Sequence, residues 1–442
     1  DRTTFSGYLN HELIKFSIND CDRSLPCLFD GLKQSQRKIL YACFKKNLTT
    51  KVMKVAQLAG FVAEHTNYHH GEQCLYDTIT KMAQDFPGSN NVPYLVKEGQ
   101  FGSRLSGGKD AASARYIHTK LTKIVRHIFR KEDDVILPRV IDDGDEVEPH
   151  FYMPIIPMIL VNGCSAGIGT GWSCSIPSYN PKDIITLVKQ WIQKDTMKNI
   201  IPYYKGYVGK IKKVEPHKFE SFGVFKRVGK NKVEITELPV NMWSDKCKEY
   251  LEDLLEKKLI KSMKNYSTPE KVRFVIQEND NLVCNMETLH LKTYILQSNM
   301  VLFTENKKIN KFDTVHDIVD AFCKLRLQYY ILRKGDQLDK LGKQKTFLKN
   351  KYTFIKGVVN ETIEIYKKDE KDIIEYLQKE NYDMVDDSYN YLLNISIRQF
   401  TKEMVKKLAA EIADIRSAIK TLKSKHVNDI WTEELDELEK IL

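Results

Sequence analysis

The sequence has no run of apolar residues long enough to cross a bilayer. Its longest, Ile155 to Val161, is interrupted by Pro157 and falls far short of the ~20 residues a spanning helix needs. No membrane partner is expected. Paired cysteines are missing too. The nine present, at 21, 27, 43, 74, 164, 174, 247, 284 and 323, form an odd set without a CxxC pair. That argues against a disulfide framework and a zinc ribbon, and for reduced thiols in an intracellular protein. Neither an internal repeat of about 20 to 50 residues nor a low-complexity linker is present. The opening DRTTFSGYLNHEL has no apolar signal core, no Arg/Ser-rich transit pattern and no initiator Met, so the chain reads as a segment of a longer one.

What is there describes a charged globular chain. Its 442 residues are 42% hydrophobic and 29% charged, with a formal net charge of +10. That length suggests two to four domains at ~100 to 200 residues each. The excess of positive charge favours acidic partners, and its distribution is more telling than its sum. Between Phe29 and Gly60 stand Lys33, Arg37, Lys38, Lys45, Lys46, Lys51 and Lys54 against the single acid Asp30. A second block holds Lys109, Arg115, Lys120, Lys123, Arg126, Arg130 and Lys131 against Asp110. Solvated helix faces would account for either block alone. Together, in one N-terminal region, they fit a phosphate-binding face.

Three texture changes divide the chain. Up to about residue 130, QSQRKILYACFKK, VAQLAGFVAEH and GEQCLYDTITKMAQDF read as short helices. The last two resemble a helix-turn-helix whose second helix opens at His69-His70-Gly71-Glu72, where free N–H groups can meet a phosphate. Helical periodicity then fails from 86 to 116, where Gly88, Gly99, Gly102, Gly107 and Gly108 mark loops. From about 161 to 312, segments such as GYVGKIKKVE, GVFKRVG, KVEITELP and KVRFVIQ predict strands of a mixed α/β domain. Beyond 313 the chain turns helical. Val405, Leu408, Ile412, Ile415, Ile419 and Leu422 form an a/d stripe, and an antiparallel partner helix is expected within 315 to 366. Gly335, Gly342 and Gly357 should weaken that partner, at ~1 kcal/mol each relative to Ala. Between the two, residues 373 to 397 read as a compact helical cap.

The segment GGKDAASARYIHTKL, 107 to 121, sets Arg115 directly before Tyr116. A tyrosine with a pKa near ~10 is only about one part in a thousand phenolate at neutral pH. Attack on phosphorus therefore needs fixed positive charge beside it, which an arginine supplies. An isolated Arg-Tyr pair is more often a cation resting on a ring, so the dipeptide proves nothing by itself.

Its surroundings change that judgement. FDGLKQSQRKILYACFKKN, KVAQLAG, YHHGEQ, GSNN, GGKDAASARYI, PMILVNG, GIGTGWS and ITELP resemble, in order, the motifs of type IIA DNA topoisomerases of the eukaryotic type. The likeness continues more weakly through YLLNISIRQFTKE and covers essentially the whole chain. It implies an α+β multidomain fold: a winged-helix domain with the catalytic tyrosine at 1–160, a tower domain at 161–312, and a coiled coil with a small helical gate at 313–442. It implies that Tyr116 forms a transient 5′-phosphotyrosyl bond, that Arg115 stabilises the transition state, and that Lys33, Arg37 and His70 contact DNA. Ile168 would be an apolar wedge entering a base step, which costs a few kcal/mol of unstacking. Double-stranded DNA and a second copy joined through the coiled-coil gate are the implied partners. The implied location is the host cytoplasm for a viral enzyme and the nucleus otherwise.

Mg²⁺ and ATP belong to the same implication, but the EGDSA-like segment with its accompanying DxD pair that would hold the metal does not occur here, and neither does an ATPase domain. Other regions must then supply both, so no metal ligands are expected in this segment. GSRLSGGKD, from Gly102, departs from a P-loop in spacing and places Asp110 where Ser or Thr is required. GIGTG lacks the third glycine of a dinucleotide fingerprint, and the acids at 142, 143, 145 and 146 match no calcium loop. His69 and His70 have no recurring zinc partners. Two alternatives stay open: an A-type subunit of a bacterial-style enzyme, and a non-catalytic DNA-bending scaffold.

Overall fold

The computed structural model describes residues 4–279, 283–366 and 368–442. Contacts group them into two compact units, Asp1–Arg326 with Thr432–Leu442, and Leu327–Trp431. The boundaries expected at 160 and 312 fall inside the first unit.

After short helical turns at Phe5–Tyr8 and Leu9–Leu13, the first unit continues with α1 (Ile14–Ser24), α2 (Gln34–Lys45), α3 (Val55–Thr66) and α4 (Glu72–Ala83). Apolar residues at helical spacing meet in one core, with Ile39, Leu40, Leu58, Val62, Leu75 and Ile79 fully buried. Asn67 closes α3 in the left-handed conformation, a frequent helix stop that asparagine tolerates. Five residues later, at Glu72, α4 begins, so the two helices expected from sequence are both present. A two-residue ladder joins β1 (Met53–Lys54) to β2 (His118–Thr119).

Two hairpins follow, β3 (Arg139–Asp142) with β4 (Asp145–Pro149), and β5 (Cys164–Gly169) with β6 (Trp172–Ile176). After α5 (Pro181–Gln193) come β7 (Lys210–Glu215), β8 (Lys218–Phe222), β9 (Val224–Gly229) and β10 (Lys232–Glu237). Next are α6 (Ser244–Glu256), β11 (Ile260–Asn265), β12 (Phe274–Glu278) and β13 (Lys292–Leu296). They form two antiparallel sheets, ordered β11-β12-β10-β9 and β13-β8-β7. The first covers α6, and Val233, Ile235, Leu251, Leu254, Phe274 and Ile276 fill the space between. A short pair, β14 (Met300–Phe303) and β15 (Ile309–Phe312), ends the region.

Helix α7 (Val315–Val359) runs uninterrupted through all three of its glycines. The added Cβ at Gly335 or Gly342 would meet nothing within 4 Å, whereas at Gly357 it would lie 2.4 Å from Ile363 Cδ1. Only the last glycine is needed for packing. In the second unit, α8 (Glu370–Lys379) and α9 (Lys402–Ser424) follow. Lys334 Nζ donates to the carbonyls of Lys423 and Lys425, while Phe354 meets Phe400 with ring centroids 6.2 Å apart. Helices α7 and α9 therefore run in opposite directions. Leu408, Ile412 and Ile415 of the a/d stripe are buried, and Phe354, Leu377, Tyr382, Tyr389 and Leu392 make a small core. Helix α10 (Val427–Ile441) returns to the first unit, where Lys189 Nζ pairs with Asp436 at 2.7 Å and Glu439 at 2.6 Å. That return was not expected from sequence.

Candidate nucleic-acid interface and nucleophile

Tyr116 sits in a turn clamped to the start of α3. The N–H groups of Val55 and Ala56 have no helical partner of their own and donate instead to the carbonyls of Ile117 at 3.0 Å and Ala114 at 3.1 Å. Tyr116 N–H donates to Ser113 O at 2.9 Å, closing the turn. Ala114 and Ile117 point inward, 9% and 1% exposed, and the two residues between them point out. Arg115 is exposed, and Tyr116 is 76% exposed. The backbone is thus held firmly while the phenol stays open to a ligand.

Asp110 organises the glycine-rich loop that leads into this turn. It accepts from Ser103 N–H at 2.8 Å, from Ser103 Oγ at 2.5 Å and from Ser106 Oγ at 2.6 Å. Burial would raise its pKa, but these bonds outweigh burial and hold it below the usual carboxylate range. Gly102 and Gly108 have φ of +89° and +86°, and a Cβ on Gly102 would lie 2.4 Å from Gly108 O. No side chain fits that crossing. Sequence reasoning missed this role of Asp110; two serines at i−7 and i−4 were the available signal.

The charge of Arg115 is felt on α4. The Tyr76 hydroxyl donates to Glu72 Oε2 at 2.8 Å, which raises the phenol's pKa, and the Arg115 charge acts in the opposite sense. His70 lies exposed in the link before α4, its ring edge-on to Tyr68 at 5.4 Å. Partial burial and the charges of Arg23, His69 and Lys38 lower its pKa. No side chain caps α4, whose N-cap is Gly71, so its first N–H groups remain available to an anion.

Arg37 is not where a DNA contact was expected. The residue is 9% exposed, and its guanidinium is forked onto Asp30 at 2.6 and 3.1 Å, with a third bond to Leu32 O. Burial opposes its charge, and the Asp30 carboxylate more than restores it. Lys38 is likewise buried, donating to Thr66 O and pairing with Glu148 at 2.8 Å. In the second basic block, Arg126 pairs with Asp134 at 2.9 Å and lies 3.4 Å from the centre of the Phe44 ring, and Arg130 pairs with Glu437. Four of the fourteen basic residues counted from sequence therefore hold the fold together. Lys45, Lys46, Lys51, Lys54, Lys109, Arg115, Lys123 and Lys131 remain exposed.

Ile168 projects from the β5–β6 hairpin, 75% exposed, opposite Ser173. Lys33 Nζ donates to Ala166 O in the same strand at 3.0 Å. Other motif residues prove to be braces. Asn91, in GSNN, donates to the carbonyls of Val161, Tyr179 and Tyr203, each at 3.0 Å.

The described residues do not fit a bound divalent ion. Among the described residues no group of three or more His, Cys, Asp or Glu side chains could hold one. The acids around the tyrosine are already engaged, Asp110 by serines and Glu72 by Tyr76. Nor is any described helix long and apolar enough to cross a membrane.

Comparison with known proteins is consistent along the whole chain. A family model for the A-type subunit of DNA gyrase/topoisomerase IV matches residues 23–436. DNA topoisomerase 2 of Invertebrate iridescent virus 6 is 44% identical over 444 residues, covering 98% of this chain and 38% of that protein. The mitochondrial DNA topoisomerase 2 of Dictyostelium discoideum is 40% identical, covering 99% and 35% respectively. The chain thus spans little more than a third of the relatives' length. Among solved structures, that of the Plasmodium falciparum topoisomerase II DNA-binding, cleavage and re-ligation domain superposes with a TM-score of 0.91. The two are 38% identical over 99% of this chain and 64% of that one.

Proposed function

The chain belongs to the family of DNA gyrase/topoisomerase IV A-type subunits, and from that premise we propose that it is the DNA breakage-and-rejoining segment of a type II topoisomerase with Tyr116 as nucleophile. The observation that carries this reading is a phenol 76% exposed on a backbone turn pinned to a helix start, with an exposed arginine directly before it. The phenolic oxygen attacks a backbone phosphorus. A 5′-phosphotyrosyl ester forms as the P–O3′ bond breaks, and the deoxyribose 3′-oxygen leaves with a proton as a hydroxyl. The reverse attack by that hydroxyl reseals the strand. One phosphodiester is exchanged for another, so no bond energy is lost to water, as it would be in hydrolysis. Arg115 stabilises charge on the non-bridging oxygens.

In the same proposal, α3 and α4 form the recognition part of a winged-helix domain, with His70 and the start of α4 meeting the DNA backbone and Lys33 contributing from beside the hairpin. Ile168 enters a base step and bends the duplex. Two copies, joined through the helical pair of the second unit, bring two tyrosines to the two strands. A region outside this chain supplies the carboxylates for Mg²⁺ and the ATPase. No step within these residues is assigned to the metal.

Replacing Tyr116 by Phe in the complete enzyme tests the assignment. Denaturant-stable DNA adducts should disappear while duplex binding persists. Adducts that survive in Tyr116→Phe would remove Tyr116 from the mechanism.

A further inference from the structure

A two-stranded hairpin is marginally stable by itself, and β5–β6 forms a two-stranded sheet of its own. An intercalating side chain must nevertheless push against a base stack without rotating away. What braces the hairpin therefore matters to its action.

Its base is braced from β6. Ser175 N–H donates to Asn299 O at 2.9 Å, and Asn299 Nδ2 donates to Ser173 Oγ at 2.7 Å. Along β5 the brace is α1. A Cβ added at Gly167 would lie 3.1 Å from Ser24 O, and one at Gly169 would lie 3.1 Å from both Cα and Sγ of Cys21. These glycines let the strand lie flush on the helix. Because strand side chains alternate, they also turn Ile168 to the open face. At the tip, one carboxylate makes the connection: Asp20 Oδ2 accepts from both the N–H and the hydroxyl of Thr170, each at 2.7 Å. Cys21 Sγ donates to Thr170 O at 3.4 Å beside it.

We propose that Asp20 is a positioning residue for the wedge, holding the hairpin tip through Thr170 so that Ile168 can enter and bend the duplex. This rests on the reading of Ile168 as the wedge. A carboxylate on a DNA-facing surface repels phosphate, so electrostatics alone would disfavour it there. Its two short bonds to the tip give it a reason to be present.

The test separates bending from binding in the full 442-residue chain. End-to-end energy transfer on a short duplex labelled at both ends reports the bend, and fluorescence anisotropy across a salt series reports affinity. Asp20→Ala removes the acceptor of both bonds and should lower the bent-to-straight ratio roughly tenfold. Affinity should hold or rise slightly, because a negative charge is lost. Asp20→Asn removes the same charge but keeps an acceptor oxygen, and should retain most of the bend. Unchanged thermal melting of both variants confirms that the fold is intact. Wild-type bending by Asp20→Ala would overturn the proposal, as would equal loss in Asp20→Asn and Asp20→Ala. Ile168→Ala tests the underlying reading separately. If it bends DNA as well as the wild type, the wedge assignment fails; if it alone loses the bend, only the role of Asp20 fails.

Discussion

Arg37 shows how far a residue's charge can mislead about its task. The side chain is buried against Asp30, and breaking a buried pair by removing one partner costs about 3–5 kcal/mol because the other charge is left uncompensated. Asp30→Ala should lower stability by that order, read as a shifted urea midpoint. Arg37→Met, which removes the charge and restores apolar volume, should cost less and leave the salt dependence of DNA binding unchanged. Lys33→Ala should instead reduce the slope of log affinity against log salt by ~1. His70 makes a different prediction. Its pKa is lowered in the free protein, so phosphate binding must favour proton uptake. DNA affinity should therefore rise as pH falls from about 7.5 to about 6, and His70→Ala should flatten that dependence. Stability moves oppositely. The unfolded chain's histidine takes up its proton first, so this group's contribution is lost as pH falls below ~6.5.

At the scale of elements, helix α7 offers the clearest test because its glycines differ only in surroundings. Gly335→Ala and Gly342→Ala enter open space and should each stabilise the protein by up to about 1 kcal/mol. Gly357→Ala should destabilise it, since the new methyl meets Ile363; thermal melts of the three variants would resolve the difference in sign. The same helix shows what could be read from sequence and what could not. Period and caps predicted α2, α3, α4 and α9 to within a few residues, because each carries its own apolar stripe. The cost of three glycines suggested a weakened α7, yet two of them stand where nothing presses on the helix. Strands β7, β9, β10 and β12 were legible by composition, but β8 was not. It lies between β7, its hairpin neighbour, and β13 about seventy residues away, but KFESF has no β-branched residue to announce a strand. Motifs single out Tyr116 and Ile168 as candidates, whereas Asp20 and Asp110 emerged only when their hydrogen-bond partners were placed. Lys38 seemed a surface charge because its partner, Glu148, lies 110 residues further on.

At the scale of the whole molecule, labour is divided between this chain and regions outside it in the proposed function. The chain carries a net charge of +10 and an exposed Tyr116, and its described residues contain no metal-holding cluster. By itself it should bind duplex DNA with steep salt dependence, yet leave it essentially uncut when Mg²⁺ is added. Efficient Mg²⁺-dependent cleavage by the pure chain would mean that it holds a metal site of its own. The central claim is narrower than this division and can be tested without it. DNA trapped covalently on the complete enzyme is digested to a short nucleotide, and the attached peptide is sequenced by mass spectrometry. The account predicts a nucleotide linked through its 5′-phosphate to Tyr116, in the peptide that follows Arg115. A nucleotide on any other side chain, or one joined through a 3′-phosphate, would contradict it.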